Sequence, residues 1–233
     1  MLNSMQLFND DCLKVLPTLP KNSVDLIITS PPYNLGNKHH TGNNYHQSYN
    51  DNLPENIYQE QQLNLLNECF RILKDNGSIM YNHKNRIKNG IQITPYEWIL
   101  KSKFIIKQEI VWINRSQNFD KIRFYPFTER VYWLAKDAKT KLNNVINKQD
   151  VFDWKEWKPK GTKGLHKRAF PEKMVNDLIN CFPNSNIICD PYMGSGTTGI
   201  ICKNLNKNFI GIELDKEYFN IAKDRIELSL LQA

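Results

Sequence analysis

Apolar and polar positions alternate along this chain on two scales: short apolar runs, and longer stretches with helical spacing. Seven runs read as strands, namely Met5–Phe8, Asp25–Thr29, Ser78–Asn82, Ile110–Ile113, Arg130–Ala135, Ile187–Asp190 and Phe209–Glu213. Runs such as Ile187-Ile188-Cys189 and Phe209-Ile210-Gly211-Ile212 are nearly all apolar, the pattern of strands buried on both faces of a parallel sheet. Helical spacing is clearest over Glu55–Leu73, where Leu63, Leu66, Phe70 and Leu73 share a face. Lys74-Asp75-Asn76-Gly77 then supplies a stop, with a glycine suited to a helix C-terminus. Pro171–Cys181 opens with proline in its first turn, where the missing N–H costs little, and Lys216–Leu231 forms the last helix. Strands alternating with helices predict an α/β fold with a doubly wound, mostly parallel seven-stranded sheet.

Two stretches break this rhythm. Residues 35–53 are rich in Asn, Gly, His and Tyr and poor in aliphatics, which predicts a mobile loop. Residues 136–168 are irregular and basic, and Trp154–Arg168 interleaves aromatics with cations. A chain of 233 residues fits a single domain over 1–233, and no apolar stretch is long enough to span a bilayer. The five cysteines form no C-x-x-C pair, so neither a disulfide framework nor a zinc site is expected, and a cytoplasmic location is the natural one. His39, His40 and His46 match no zinc spacing, and no metal is expected there. A net charge of +7 favours polyanionic partners, although a Lys- and Asn-rich composition gives the same sign. Phe8, Trp98, Trp112 and Trp133 read as core, whereas Arg86, Lys88, Arg115 and Lys121 are candidates for a basic face.

The chemistry concentrates in two motifs. Thr29-Ser30-Pro31-Pro32-Tyr33 follows directly on an apolar strand. Two prolines fix φ, lack N–H groups and push the residue before each toward extended geometry, so a rigid turn with free carbonyls is expected. Downstream, Asp190-Pro191-Tyr192-Met193-Gly194-Ser195-Gly196-Thr197-Thr198-Gly199 links a strand to a helix starting near Thr197. Glycines there allow close approach of the backbone to a ligand, and the helix start presents unpaired N–H groups. Glu213 ends the next strand, where a carboxylate can accept from both hydroxyls of a ribose. Read literally, Gly194-x-Gly196-x-x-Gly199 also satisfies the dinucleotide fingerprint, which makes an NAD-dependent oxidoreductase the rival. Asp190 weighs against it, since a carboxylate beside the loop repels a pyrophosphate but suits a cationic ligand.

In order and spacing, Thr29–Tyr33 and Asp190–Thr198 resemble the amino-methylating DNA methyltransferases, in the circularly permuted arrangement that puts the catalytic turn first. Asp10-Asp11-Cys12-Leu13, Arg71–Gly77, Ala169-Phe170-Pro171-Glu172-Lys173 and Phe209–Glu213 resemble further segments of that family, so the likeness covers nearly the whole chain. The resemblance implies a Rossmann-like domain that moves a methyl group from S-adenosyl-L-methionine to the exocyclic nitrogen of a base flipped out of double-stranded DNA. It implies that Ser30 and the Pro31 carbonyl accept from the amino group, within the turn Ser30, Pro31, Pro32 and Tyr33, and that Tyr33 stacks on the base. It assigns the cofactor to Asp11, Phe170, Pro171, Asp190, Pro191, Gly194, Ser195, Gly196, Thr197, Thr198 and Glu213. It places a short DNA-contacting insert at 136–168, with Lys155, Lys158, Lys160, Lys163, Lys167 and Arg168 on the DNA backbone. Ser at position 30 resembles the cytosine-N4 members, with adenine N6 the alternative. A cognate restriction endonuclease is part of the expectation, a homodimer is left open, and a catalytically silent DNA-binding module is the third reading.

Overall fold

A computed structural model describes residues 4–36, 49–115, 122–144, 149–154 and 169–229. The first half holds β1 (Met5–Phe8), α1 (Cys12–Val15), β2 (Val24–Thr29), α2 (Glu55–Ile72) and β3 (Leu73–His83). The hairpin β4 (Arg86–Lys88) and β5 (Ile91–Ile93), α3 (Tyr96–Ile99), β6 (Ile105–Trp112) and β7 (Glu129–Ala135) follow. The last part holds β8 (Val151–Phe152), α4 (Glu172–Asn180), β9 (Ile187–Asp190), α5 (Thr197–Asn204), β10 (Asn208–Ile212) and α6 (Lys216–Leu228).

The main sheet runs β1-β10-β9-β2-β3-β7-β6-β8, with β7 antiparallel to both of its neighbours. The five strands from β1 to β3 pair in parallel, which aligns their C-terminal ends along one edge. Alternation along each strand feeds two cores. Ile27, Ile79 and Tyr81 face α2 and α3, with Leu65, Leu66, Ile72 and Trp98. Leu26, Ile28 and Met80 face α4–α6, with Met174, Leu178, Ile201 and Ile226. The sheet is therefore covered on both faces, as a doubly wound fold requires. No helix among the described residues is long and apolar enough to cross a membrane.

Several expectations change. The sheet has eight strands rather than seven, because β8 forms inside the stretch expected to be irregular. It adds to the edge through Val111 N–H to the Asp150 carbonyl (2.8 Å) and Ile113 N–H to the Phe152 carbonyl (2.9 Å). Trp154, expected in a phosphate-gripping segment, is buried: it stacks on Phe152 and donates Nε1–H to Asp177 (2.9 Å). Lys74–Gly77 do not cap α2 but belong to β3. Gly77 is needed for close approach, since a Cβ there meets the Leu73 side chain at 2.7 Å and the Asp25 carbonyl at 2.8 Å. The buried face of α2 carries Tyr58, Gln62, Leu65, Leu66, Cys69 and Ile72 rather than Leu63 and Phe70. Arg86 is buried against Glu55 by two hydrogen bonds (2.7 and 2.9 Å) and Arg115 pairs with Asp153, so neither is a free cation on a basic face. Trp98 and Trp133 are core, and Phe8 and Trp112 pack at its margin.

Candidate active site

Register fixes the site. Leu26 and Ile27 of β2 lie beside Ile188 and Cys189 of β9, and Gly211 of β10 lies beside Asp190. The turn after β2 and the loop after β9 therefore leave adjacent strand ends, with Glu213 one strand further on. This is the crevice at the carboxyl ends of the strands, where open α/β sheets bind ligands.

On the cofactor side the loop is wired to itself. Asp190 accepts from Thr198 Oγ1 (2.7 Å) and from the Tyr192 amide (3.1 Å), so its described contacts organise the loop. Burial pushes its carboxyl up to about 6, against the hydrogen bonds from Thr198 and Tyr192. Gly196 caps α5 at φ +82°, and a Cβ there meets Ala222 Cβ at 2.9 Å, so the loop reaches the helix only through glycine. Arg225 donates to the Ser195 carbonyl and lies 3.8 Å from Glu172, tying the start of α4 to the loop. That places Pro171, the cap of α4, and Phe170, packed on the second core, on the same side. Ser195 Oγ and Thr197 Oγ1 are buried without a hydrogen-bond partner among the described residues.

Glu213 accepts from the Gly194 amide (3.0 Å), the Asp215 amide (2.8 Å) and the Tyr49 hydroxyl (2.7 Å). Burial raises its pKa. Tyr49 was not singled out by the sequence, yet its hydroxyl sits on the carboxylate expected to hold a ribose and also accepts from Leu214 N–H (3.3 Å). A cavity of about 180 Å³ opens between the two motifs, lined by Asp10, Asp11, Pro32, Tyr49, Tyr192 and Leu214 among others. Asp11 caps α1 by accepting from Leu13 N–H (2.9 Å), and Asp10 accepts from Asp11 N–H (2.7 Å), so both acids reach the cavity wall.

On the other side the proline turn rests on a polar network. Ser30 Oγ lies 2.8 Å from Tyr33 Oη and 3.1 Å from Asn82 Oδ1. Tyr33 Oη in turn lies 2.6 Å from Asn82 Oδ1 and 2.9 Å from Glu129 Oε2. Asn114 Nδ2 donates to the other oxygen of Glu129 (2.7 Å). Burial and the Glu129 charge push the Tyr33 phenol well up, so it stays protonated. Its ring, expected to stack on a base, is instead only 8% exposed and packs 4.6 Å from His83. The carbonyls are not all free either, because the Tyr58 hydroxyl donates to the Pro32 carbonyl (2.7 Å). His83 supports that bond. Its Nε2 lies 2.7 Å from the Tyr58 hydroxyl and its Nδ1 lies 2.9 Å from both the amide nitrogen and the carbonyl oxygen of Lys84, and burial holds the ring neutral with a pKa near 3.

Asn82, Glu129, Asn114, Tyr58 and Tyr49 carried no local motif. The one available signal was position, since Asn82 ends the apolar run Ser78–Asn82. Residues 37–48 of the expected loop lie outside the described residues, as do His39, His40, His46, Lys121, Lys155, Lys158, Lys160, Lys163, Lys167 and Arg168. Its described ends are tied together by Gly36 N–H to the Asp51 carbonyl (2.7 Å) and by Leu53 N–H to Asn34 Oδ1 (2.7 Å).

Comparison with known proteins agrees with this geometry. A family model named N6_N4_Mtase, described as DNA methylase, matches residues 24–224. The type II methyltransferase M.HpaI of Haemophilus parainfluenzae is 30% identical over 95% of this chain and 74% of its own length. The type II methyltransferase M.BglII, from Bacillus subtilis, is 28% identical over 93% of this chain and 67% of its own. Among solved structures, the cytosine-N4-specific PvuII DNA methyltransferase superposes with a TM-score of 0.78 at 19% identity, covering 97% of this chain and 87% of its own. An M1.HpyAVI complex with S-adenosylmethionine gives 0.61 at 26% identity, covering 95% and 99%. The dehydrogenase reading of the glycine loop falls with these matches, and Gly199 serves packing instead, since a Cβ there meets Ile226 Cδ1 at 2.4 Å. A strand edge that joins a Ser-Pro-Pro-Tyr turn to a glycine loop, within a matched span of this length, makes the chain a member of the N6/N4 DNA methylase family.

Proposed function

We propose that this chain transfers a methyl group from S-adenosyl-L-methionine to the N4 amino group of a cytosine flipped out of double-stranded DNA. The observation that carries the reading is the adjacency of Ser30 and the 190–198 loop on neighbouring strand ends. The donor set suits a cationic nucleoside: buried carboxylates at Asp190 and Glu213, and unmet hydroxyls on Ser195 and Thr197. Asp11, Phe170, Pro171, Asp190, Pro191, Gly194, Ser195, Gly196, Thr197, Thr198 and Glu213 would hold the cofactor, which when bound supplies an electrophilic sulfonium methyl.

The protein's task is alignment and acceptance. An exocyclic amine conjugated to a ring is a poor nucleophile, because its lone pair is delocalised. Ser30 Oγ and the Pro31 carbonyl accept from its two N–H groups, favour a pyramidal nitrogen and point the lone pair at the methyl group. Holding the two reactants in line supplies much of the rate. Flipping the base costs a few kcal/mol, which contacts in the cleft and on the DNA backbone offset. The basic stretch 155–168 grips phosphates in this reading. Neutralising Lys158, Lys160 and Lys163 is expected to lower the salt slope of DNA binding by about three. Because the relatives are named type II methyltransferases, the reading includes a cognate restriction endonuclease for the same site.

The test is methylation of unmodified DNA followed by digestion to nucleosides and mass spectrometry. N4-methylcytosine is the expected product. N6-methyladenine would keep the family activity but move the target, and an unmodified digest would remove the reading.

A further inference from the structure

The structure assigns Glu129 a positioning role that fixes the hydrogen-bond polarity of the catalytic turn, so that Ser30 meets the target base with lone pairs only. The inference rests on the reading of Ser30 as acceptor for the target amino group and deepens it toward specificity.

The assignment follows from counting protons. Two hydroxyl protons, on Ser30 and Tyr33, serve four contacts of 2.6 to 3.1 Å: Ser30 with Tyr33, Ser30 with Asn82, Tyr33 with Asn82 and Tyr33 with Glu129. Asn82 does not donate to either hydroxyl. Its amide nitrogen is committed to the Arg130 carbonyl (2.9 Å), which turns Oδ1 toward the pair. A carboxylate is likewise an acceptor only. Asn114 donates to the far oxygen of Glu129 and fixes its orientation, leaving Oε2 toward Tyr33. Both protons are therefore drawn inward, toward ends that can only accept, and the lone pairs of Ser30 turn to the cleft.

An incoming amino group offers N–H to those lone pairs. A keto oxygen in the same place, as in uracil, thymine or guanine, brings acceptor against acceptor and is repelled. Glu129 thus selects amino over keto bases from behind the turn, without touching the substrate. A carboxamide at 129 keeps the shape but offers N–H to Tyr33 Oη. The Tyr33 proton then moves toward Asn82 or Ser30, where it competes with the Ser30 proton for the inward acceptors and lets Ser30 donate outward part of the time.

The experiment compares wild type, Glu129→Gln, Glu129→Asp, Tyr33→Phe and the double variant Tyr33→Phe with Glu129→Gln, all as full chains. Methyl transfer to DNA is followed under single turnover, with the KM for DNA and the affinity for S-adenosylhomocysteine measured alongside. Glu129→Gln is expected to lose about tenfold or more in kcat while both other quantities stay within about twofold. Glu129→Asp, which remains acceptor-only, should retain more activity than Glu129→Gln. Adding Glu129→Gln to Tyr33→Phe should cost little more, because the Tyr33 hydroxyl is the link between them. A second readout needs no turnover. Once the methylated position is mapped, wild type should prefer duplexes with cytosine there over uracil, and Glu129→Gln should lose much of that preference in equilibrium binding. Wild-type kcat in Glu129→Gln, an Asp variant no better than Gln, or an unchanged base preference would each overturn the assignment. If the wild type itself transfers no methyl group to DNA, the reading of Ser30 fails before the question of Glu129 arises.

Discussion

The two halves of the cleft are built in opposite ways. On the cofactor side the decisive bonds are short in sequence: Thr198 to Asp190 spans 8 residues and Gly194 to Glu213 spans 19. On the catalytic side Ser30 reaches Asn82 across 52 residues, and Tyr33 reaches Glu129 across 96. The first half is a preformed cradle of backbone amides and one buried carboxylate per strand end. The second is a turn of fixed shape whose hydrogen-bond direction is set by Asn82 of β3, Glu129 of β7 and Asn114 just beyond β6. A local cradle can be carried by a motif, whereas a network spread over three strands depends on the whole sheet.

The largest effect separating the halves is expected from Ser30→Ala. It removes an acceptor from the reacting nitrogen and should cost roughly 10²-fold in single-turnover rate, with S-adenosylhomocysteine affinity unchanged. An equal loss in affinity would mean that the halves are not separable.

Asp190→Asn should do the reverse in stability and binding. The folded pKa of about 6 lies above the ordinary 3.8 because the carboxyl is buried. Such a group contributes its full stabilisation below about 3.8 and loses it as pH rises through about 6, so at neutral pH its charge costs about 3 kcal/mol. Without cofactor, Asp190→Asn should therefore melt higher than wild type at pH 8, with the gain fading below pH 4. Its affinity for S-adenosylhomocysteine should fall. A pH-independent difference in melting temperature would show that Asp190 carries no such burden.

Glu213→Gln should weaken S-adenosylhomocysteine by about tenfold, the equivalent of about 1.4 kcal/mol, in calorimetric titration, since a carboxamide cannot accept in both directions. An unaltered affinity would place the ribose elsewhere. The smallest effect is expected from Tyr49→Phe. Its hydroxyl occupies the Glu213 oxygen that a ribose would use, so its removal should tighten S-adenosylhomocysteine a few-fold. Weaker binding would make Tyr49 a ligand rather than a competitor.

This contrast also explains what could be read from the sequence. The presence of seven of the main sheet's strands and the Asp190–Thr198 loop were legible, because continuous apolar runs and glycine-rich turns encode local geometry, whereas the true starts of β3 at Leu73 and β6 at Ile105 were not, because those starts carry polar residues that pair only within the sheet. The fates of Gly77 and Arg86 were not. A helix-stop glycine and a strand glycine look alike until β2 and β3 are paired, and a cation in a hairpin looks exposed until Glu55 of α2 is placed beside it. Glu129 was hidden for the same reason. It sits at the head of an otherwise buried strand, and its meaning appears only when β7 inserts antiparallel beside β3 and brings it under Tyr33. The eighth strand is two residues long and has no periodicity to detect.

Whether one strand edge brings donor and acceptor together is decided by a structure of the protein with S-adenosylhomocysteine and a duplex bearing its mapped target. The cofactor is expected along the 190–198 loop, with its ribose on Glu213 and its sulfur facing the turn. An extruded base is expected with its exocyclic nitrogen within hydrogen-bond reach of Ser30 Oγ. A base held with that nitrogen away from Ser30, or a cofactor bound at another edge of the sheet, would contradict it.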